Sequence, residues 1–406
     1  MNSFEELGVH PCFTEKLKER SIVKPTAIQS LVITRLLEGG NILFRSATGT
    51  GKTFAYLLPA LHDLVCAEEN VNYSGGPAVL ICAPTFELCS QIKEEVDFLT
   101  ASKDRRGLKS ALLIGSVKID KQIESLKKIK PAVAAGSLSR LLVLAKMKRL
   151  DFSNLRFLIL DEADRLTAQE CIEETEELLA IIKRNTDKRK NNILRLAACS
   201  ATVGIKTREQ LGVLFKDAEI LKSDDHEIIR ERIEHWAVFS EKRRKVQTLR
   251  SLLAALKNGK SRIKALVFTS RNDEAGKILS QLQYHHIKAE GLFGKMIKKP
   301  ITGVQRREAL DSFKNGGIEV LVCTDLAARG LHIPGVTHVI SLDVPSDGEQ
   351  YIHRCGRTGR AGKHGVMVTI GDETQMRLLA SLEKKLKIIV YPKELFQGRV
   401  CAPDIE

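Results

Sequence analysis

Two short polar segments of the sequence carry the residue types that phosphate chemistry needs. Residues 46–53 read Ser-Ala-Thr-Gly-Thr-Gly-Lys-Thr, and residues 161–164 read Asp-Glu-Ala-Asp. A glycine-rich turn offers backbone N–H groups to phosphate oxygens, while a lysine adds positive charge and a threonine hydroxyl suits Mg²⁺. The residues that we expect to hold the phosphates of a nucleotide are Ala47, Thr48, Gly49, Thr50, Gly51, Lys52 and Thr53.

The acidic segment supplies the groups that hydrolysis of a triphosphate requires. We expect Asp161 to hold Mg²⁺ through its water shell together with Thr53, and Glu162 to orient or activate the attacking water. Lys52, Asp161 and Glu162 are therefore predicted catalytic residues. A tight turn that binds no phosphate is the alternative for the first segment, because Ser46 stands where a glycine is usual. The later carboxylates disfavour that alternative.

The surrounding pattern places both segments at one edge of a sheet. Residues 157–160 are an apolar run that predicts a buried strand ending in the carboxylates. Residues 41–44 predict a strand before the glycine-rich turn, and a helix is expected to begin near Lys52. Open α/β folds bind ligands outside the carboxyl ends of their parallel strands. The two segments are thus expected to lie close together.

The same alternation of strand and helix patterns continues along the whole chain. It predicts an α/β fold with mainly parallel sheets covered by helices on both faces. The rhythm restarts after a polar stretch, which predicts two tandem domains at 1–222 and 233–406 with a linker at 223–232. The predicted strands are 41–44, 79–82, 111–114, 157–160, 194–200, 265–269, 319–324, 337–342 and 366–370.

Composition narrows the class of protein. The net charge of +14 over 406 residues favours a polyanionic partner, with nucleic acid the leading candidate. Nine cysteines without a C-x-x-C pair argue against a disulfide framework and against a structural zinc site. No apolar run approaches the roughly 18 residues of a membrane span, and residues 1–6 resemble neither a signal nor a transit peptide. We therefore expect a cytoplasmic protein that is not bound to a membrane.

Six segments occur in the order found in DEAD-box RNA helicases, and the chain resembles that family over nearly its whole length. The resemblance implies two RecA-like domains, ATP and Mg²⁺ as cofactors, and RNA, single-stranded or as a short duplex, as partner. It also implies a monomeric RNA-dependent ATPase that unwinds or remodels RNA, with protein partners that supply specificity. The six segments are 24–29, 46–53, 161–164, 200–202, 324–330 and 353–360.

The resemblance also implies individual roles. Phe4 would stack on adenine, Gln29 would hydrogen-bond the adenine edge, and Gly330 would let the chain pass close to the nucleotide. Arg357 and Arg360 would be arginine fingers that share one helix face. Asp164, Ser200, Thr202 and His353 would couple nucleotide binding to domain closure, and the implied RNA contacts are Pro84, Thr85, Gly115, Arg140, Thr324 and Asp325.

Taken alone, several of these residues have simpler interpretations. Gln29 would be a residue of a helix surface, and His353 a core or surface histidine. Ser200 and Thr202 would be a strand end and a helix cap. The order of the six segments favours the functional roles.

Departures from the family pattern fall mostly on the residues that face RNA. Phe86 stands where the family has arginine, residues 137–140 read Ser-Leu-Ser-Arg where it has Thr-Pro-Gly-Arg, and Gly303 replaces a glutamine. His332 replaces an aspartate near the ribose. We therefore expect ATP hydrolysis to be retained and RNA binding to be weakened or altered in specificity. An ATP-gated RNA clamp with little unwinding is the main alternative, and a DNA helicase is a weaker one.

Overall fold

The computed structural model describes residues 3–45, 51–66, 76–101, 108–187, 194–200, 205–222, 232–258, 263–293, 303–328, 333, 335–359 and 363–403. The chain divides into two compact units between residues 223 and 224. Each unit is an α/β layer structure with a mainly parallel sheet, which confirms the predicted fold class. The predicted domain bounds stay a prediction, because the proposed linker lies almost entirely outside the described residues.

The first unit is built on a seven-stranded sheet in which every neighbouring pair is parallel, in the order β3-β4-β2-β5-β6-β1-β7. Its strands are β1 Ile42–Arg45, β2 Val79–Ala83, β3 Ser110–Leu113, β4 Val133–Ser137, β5 Phe157–Leu160, β6 Arg195–Ser200 and β7 Glu219–Lys222. Its helices are α1 Pro11–Glu19, α2 Ala27–Leu37, α3 Lys52–Cys66, α4 Phe86–Thr100, α5 Ile119–Ile129, α6 Leu138–Lys146, α7 Ala163–Leu166, α8 Ile172–Thr186 and α9 Ile205–Gln210, followed by a 3₁₀ turn at Gly212–Phe215.

Helices cover both faces of this sheet. Val79 and Ile81 of β2 belong to one hydrophobic cluster, whereas Leu80 and Cys82 belong to a second cluster on the opposite face. Successive side chains of a strand point to opposite faces, so a strand that is apolar throughout must be covered twice. The continuous burial of β2 and β5 follows from this arrangement.

The second unit has an eight-stranded sheet in the order β10-β11-β9-β12-β13-β8-β14-β15, in which only the β14–β15 hairpin is antiparallel. Its strands are β8 Ile233–Phe239, β9 Ala265–Phe268, β10 Ala289–Leu292, β11 Val320–Cys323, β12 His338–Ser341, β13 Gly365–Gly371, β14 Val390–Phe396 and β15 Arg399–Cys401. Its helices are α10 Lys245–Asn258, α11 Asn272–Tyr284, α12 Gly303–Asn315, α13 Asp325–Ala328, α14 Gly348–Cys355 and α15 Glu373–Leu386.

All nine predicted strands are present, each within one residue at either end. Six further strands were not predicted, and two of them show why. β4 reads Val-Ala-Ala-Gly-Ser and β10 reads Ala-Glu-Gly-Leu, so both lack the branched and aromatic residues that mark strands. Pairing with neighbouring strands and burial set their conformation instead. Among the described helices, none is long and apolar enough to cross a membrane.

Candidate functional site

Strand order sorts the predicted site residues along the carboxyl edge of the first sheet. β5, β6 and β1 are neighbours, and they end at Asp161, at Ser200 and before the glycine-rich turn respectively. β3, β4 and β2 form the other half of the sheet and lead to the predicted RNA contacts. We call β5-β6-β1 the nucleotide half and β3-β4-β2 the RNA half, after the residues predicted at their ends; the two halves meet where β2 pairs with β5.

Asp161 is held firmly at the end of β5. Its side chain is 3% exposed, and both carboxylate oxygens accept hydrogen bonds. The Tyr56 hydroxyl donates to Oδ2 at 2.8 Å, and the backbone N–H of Glu162 donates to Oδ1 at 2.9 Å. Tyr56 was not identified from the sequence. Its signal is its position on α3, one helical turn after Lys52 and Thr53.

Charges around Lys52 keep this lysine protonated. Burial lowers its pKa, but the interactions with Cys199 and with the carboxylates of Asp161, Glu162 and Asp164 together raise it more, so that the pKa lies above the ordinary value. Burial, followed by the charge of Asp161, raises the pKa of Tyr56 well above its usual range. At neutral pH the first half of the site thus presents a lysine cation beside carboxylates and a protonated tyrosine.

Glu162 has a left-handed backbone conformation, with φ 51° and ψ 52°. This conformation costs a residue other than glycine about 1–2 kcal/mol. It turns the chain sharply from β5 into α7 and brings the Glu162 N–H to the preceding carboxylate. The Arg165 guanidinium lies 3.8 Å from the Glu162 carboxylate. The strain therefore falls on the residue predicted to act on water.

The predicted coupling residues meet beside the carboxylates. The Ser200 hydroxyl donates to Oδ1 of Asp164 at 3.1 Å, which joins the end of β6 to α7. Thr202 lies outside the described residues. The structure thus brings together two of the three coupling residues predicted in the first unit.

Gln29 braces the glycine-rich turn. It is buried, its Nε2 donates to the Gly51 carbonyl at 3.0 Å, and its Oε1 accepts from the Thr26 N–H at 2.8 Å in a capping box of α2. A Cβ atom at Gly51 would lie 2.3 Å from Nε2 of Gln29, and the φ of Gly51 is +86°. Only glycine fits there. Contact between Gln29 and adenine stays a prediction.

Phe4 is also buried, in a hydrophobic cluster of the first unit. Its ring is covered by protein in this structure, so stacking on a base would need the ring to be uncovered. That role stays a prediction. The other predicted nucleotide and finger residues that lie outside the described residues are Ala47, Thr48, Gly49, Thr50, Gly330, His332 and Arg360.

The RNA half of the first unit is built from helix starts and turns. The Thr85 side chain accepts from the Leu88 N–H at 3.3 Å and caps α4, directly after Pro84. Phe86 packs against a hydrophobic cluster. Contact of Pro84 and Thr85 with RNA stays a prediction, and Phe86 packs against the protein at the position where the family has a charged arginine.

Arg140 and Gly115, both predicted RNA contacts, are hydrogen-bonded to each other. Nη2 of Arg140 donates to the Gly115 carbonyl at 3.1 Å, and Nη1 donates to Oε1 of Gln122 at 2.8 Å. Gln122 is buried on α5, and its Nε2 donates to the Ile114 carbonyl at 3.0 Å. Gln122 was not identified from the sequence, where it is an ordinary polar helix residue.

In the second unit, Asp325 is engaged by Arg354. Nε and Nη2 of Arg354 donate to the two Asp325 oxygens at 2.7 and 2.6 Å, and Nη1 donates to Oδ1 of Asp343 at 2.7 Å. Gln350 also donates to Asp325, at 2.8 Å. Asp325 is thus engaged by side chains of its own unit, and its predicted role at RNA stays a prediction. Thr324 is buried at the end of β11, just before it.

Arg354 is the most important residue that sequence reasoning missed. Its side chain is 1% exposed, and burial lowers its pKa while hydrogen bonds and charges from Asp325 and Asp343 raise it above the usual range. Its position between His353 and Arg357 was the available signal, but neither aspartate is near it in sequence.

Arg357 is buried just beyond the end of α14. The expectation that Arg357 and Arg360 share one helix face is wrong, because α14 ends at Cys355 and Gly359 has a φ of +67°. Such a φ breaks a right-handed helix. His353 is half-buried in the last turn of α14. Arg357 therefore lies in the turn after the helix, Arg360 lies outside the described residues, and the arginine-finger role of both stays a prediction.

Comparison with known proteins covers both units. The family described as DEAD/DEAH box helicase matches residues 26–211, and that described as Helicase conserved C-terminal domain matches residues 244–362. The DEAD-box ATP-dependent RNA helicase CshC of Bacillus cereus is 32% identical over 390 residues, which cover 96% of this chain and 93% of that protein.

Solved structures are also similar to this chain over both units. Mss116p bound to ssRNA and AMP-PNP has a TM-score of 0.82 and 26% identity, covering 96% of this chain and 78% of that chain. Dbp5 of S. cerevisiae bound to RNA and ADP BeF3 has a TM-score of 0.79 and 25% identity, covering 97% of this chain and 96% of that chain. The similarity therefore extends over both sheets.

Proposed function

The chain belongs to the DEAD-box ATP-dependent RNA helicase family, and from this premise we propose that it hydrolyses ATP on binding RNA and uses the cycle to unwind or remodel RNA locally. The observation that carries the proposal is the fixed carboxylate of Asp161 beside Glu162 and Lys52. RNA duplexes and RNA–protein complexes are the substrates we infer. The protein is an RNA-dependent ATPase.

The residues present fit a Mg²⁺ ion. Asp161 is a buried carboxylate at a strand end, and Thr53 adds a hydroxyl from the first turn of α3. Mg²⁺ is commonly held by one or two carboxylates together with substrate phosphates, and an all-oxygen donor set suits it. When bound, the ion neutralises charge on the phosphate oxygens. Asp161 and Thr53 are the residues we assign to it.

The side chains divide the remaining work. Lys52 places a positive charge against the phosphates, and Glu162 accepts a hydrogen bond from the attacking water and orients it. Arg357 and Arg360 stabilise charge on the transferred phosphoryl group. The Ser200 to Asp164 hydrogen bond ties this site to the end of β6. This division of roles is proposed from the family and the placement of each residue.

ATP turnover with and without single-stranded RNA tests the proposal. We expect slow turnover that RNA accelerates, and we expect Glu162→Gln to abolish the acceleration while ATP analogues still bind, because only the water-activating carboxylate is lost. Absence of turnover in the wild type under both conditions would overturn the proposal. Thermal unfolding of the variant controls for loss of the fold.

An ATP-gated RNA clamp with little unwinding is the second candidate. Two observations favour it: Phe86 packs into the protein, and two donors of Arg140 are used by protein acceptors. A strand-displacement assay on a short RNA duplex distinguishes the two, since a clamp would bind RNA with ATP and release no strand. We also infer a cytoplasmic monomer, with protein partners that supply RNA specificity.

A further inference from the structure

Positive charge is concentrated in one short part of the chain. Residues 101–150 contain thirteen Lys and Arg but three Asp and Glu, which is ten of the fourteen net positive charges of the protein. All the remaining residues together carry a net charge of +4. Such a local excess of positive charge favours binding of a polyanion. The predicted nucleotide and RNA contacts account for little of this charge, since Arg140 is the one of these thirteen basic residues that has a predicted role.

Much of this charge lies on α5, beside the edge strand β3 of the first sheet. Five lysines of this helix and its flanks are exposed, and none forms an ion pair with any residue that the structure describes. Lys146, by contrast, pairs with Glu177 at 2.7 Å. Only Asp120 and Glu124 oppose the lysines on α5. The five exposed residues are Lys118, Lys121, Lys127, Lys128 and Lys130.

The first turn of α5 is fastened to the predicted RNA contacts. Gln122, one residue after Lys121, accepts from Arg140 and donates to the carbonyl of Ile114. Arg140 donates to Gly115, which begins the turn that leads to Lys118. The lysines at the start of α5 therefore have a position fixed relative to Gly115 and Arg140.

We propose that four of these exposed lysines on α5 and at its start, which we call the α5 surface (Lys118, Lys121, Lys127 and Lys128), bind RNA phosphates and extend the RNA site beyond Gly115 and Arg140. The inference rests on the proposed function, which makes RNA the partner. Lysine ammonium groups bind phosphates as point charges, without reading sequence. The α5 surface thereby compensates for the arginine that Phe86 replaces.

The dimensions and composition of the helix suit this role. From Lys118 to Lys128 an α-helix rises about 15 Å, which matches about four phosphates along one strand of a duplex. A protein partner would instead require an apolar or aromatic centre. Val117 is the large hydrophobic residue exposed in or next to α5. Charge without an apolar centre favours a nucleic-acid backbone.

The near pair of lysines gives the first test. In the full chain, Lys118→Gln with Lys121→Gln is compared with the wild type by fluorescence anisotropy, using labelled single-stranded oligo(U) and AMP-PNP at several KCl concentrations. We expect roughly 5- to 20-fold weaker binding at low salt, because two exposed charge contacts are lost. We also expect a slope of log K against log salt that is shallower by about 1.4.

A matched control changes the same charge elsewhere. Lys384→Gln with Lys385→Gln removes two exposed lysines from the last turn of α15, and we expect RNA affinity and salt slope to stay at the wild-type values. If this pair lowered the slope as much as the near pair, the effect would be one of net charge, and the inference would be overturned.

The far pair of lysines tests whether a bound RNA strand runs along α5. Lys127→Gln with Lys128→Gln should weaken binding of long oligo(U) but leave binding of a short oligonucleotide unchanged, since only a long strand reaches the end of α5. Unchanged affinity and slope in both the near and the far pair would overturn the inference and leave an acidic protein as the alternative partner.

Two further measurements keep the test decisive. If Lys118→Gln with Lys121→Gln lowers the unfolding temperature, the double variant Lys118→Arg with Lys121→Arg, which keeps the positive charge, is measured as well. Retained RNA binding by this arginine variant supports the inference, and lost binding overturns it. Wild-type protein that binds no RNA and shows no RNA-stimulated turnover would overturn the proposed function as well. If the wild type binds RNA and neither the near-pair variant nor the far-pair variant binds it less tightly, the inference is overturned and the proposed function stands.

Discussion

At the scale of single residues, the nucleotide half depends on hydrogen bonds that fix the orientation of a carboxylate. Both oxygens of Asp161 are directed by donors from its own unit, one from a side chain and one from the backbone. A hydrogen bond to a charged group contributes about 1.5–3 kcal/mol. We therefore expect the Tyr56 hydroxyl to affect how this site binds a nucleotide with Mg²⁺.

Tyr56→Phe removes that hydroxyl and keeps the buried ring. We expect the Mg²⁺ concentration needed for half-maximal ATP turnover to rise by about tenfold, because one Asp161 oxygen loses its donor. A Mg²⁺ titration of RNA-stimulated turnover measures this. Tyr284→Phe, at an exposed tyrosine, is the matched control and should change nothing. An unchanged Mg²⁺ requirement in Tyr56→Phe would contradict this role.

The sequence identifies the carboxylates but not the donors that hold them. Asp161 and Glu162 follow an apolar run, and that local pattern is sufficient to predict their position at a strand end. Tyr56 lies 105 positions from its partner, and Arg354 lies 29 positions from Asp325. Such pairings depend on strand order, which a local pattern does not contain. Arg354 also has a charge that normally marks the surface.

At the scale of elements, α14 is joined to the ends of β11 and β12 through one arginine. Arg354 bridges Asp325 after β11 and Asp343 after β12, and also donates to the Ser341 hydroxyl. Three segments, two of which carry predicted functional residues, are therefore held in one arrangement. Breaking a buried ion pair by removing one partner costs about 3–5 kcal/mol, because the remaining charge stays buried.

Arg354→Gln is expected to lower the free energy of unfolding by about that amount. Urea unfolding followed by circular dichroism measures it. Arg377→Gln removes an arginine that is 80% exposed and pairs with Glu373, and it should cost no more than about 1 kcal/mol. Equal losses of unfolding free energy in the two variants would show that the buried ion pairs of Arg354 contribute no more than an exposed ion pair.

A histidine in β12 gives the second unit a pH dependence. Burial lowers the pKa of His338 to about 4, whereas an unfolded histidine titrates near 6.5. Between these values the unfolded chain binds a proton that the folded chain does not. The free energy of unfolding therefore falls as the pH drops from about 6.5 to about 4, by no more than about 3 kcal/mol.

His338→Gln should flatten this part of the stability curve. Chemical unfolding at several pH values, compared with the wild type, isolates the contribution of His338. His364→Gln changes an exposed histidine and should leave the curve as it is in the wild type. A variant whose stability falls as steeply as that of the wild type over the same pH range would exclude His338 as the cause.

At the scale of the whole molecule, residues with catalytic assignments come from both compact units. Lys52, Asp161 and Glu162 belong to the first, whereas Arg357 belongs to the second. An arginine finger typically contributes about 10³–10⁵ in rate. We therefore expect turnover to depend on residues that the sequence separates by about two hundred positions or more.

Arg357→Gln is expected to lower RNA-stimulated ATP turnover by about a thousandfold or more, while an ATP analogue still binds. Arg357→Lys keeps the positive charge but lacks the planar guanidinium that can donate two parallel hydrogen bonds, so it should recover only part of the rate. Arg377→Gln is again the control. Because Arg357 is buried, the unfolding temperature of each variant is measured as well. A near-normal rate in Arg357→Gln would remove it from the catalytic residues.

The order of strands in the first sheet has a consequence for how such a protein diversifies. Lys52, Thr53, Asp161 and Glu162 lie next to the strands of the nucleotide half, β5-β6-β1, whereas the departures of this unit that were predicted to face RNA, at Phe86 and residues 137–140, follow β2 and β4 of the other half. Because the two halves occupy separate strands of one sheet, we expect that substitutions in the RNA half can alter which RNA is bound while leaving the hydrolytic chemistry unchanged. A change of substrate then requires new surface residues and no new fold.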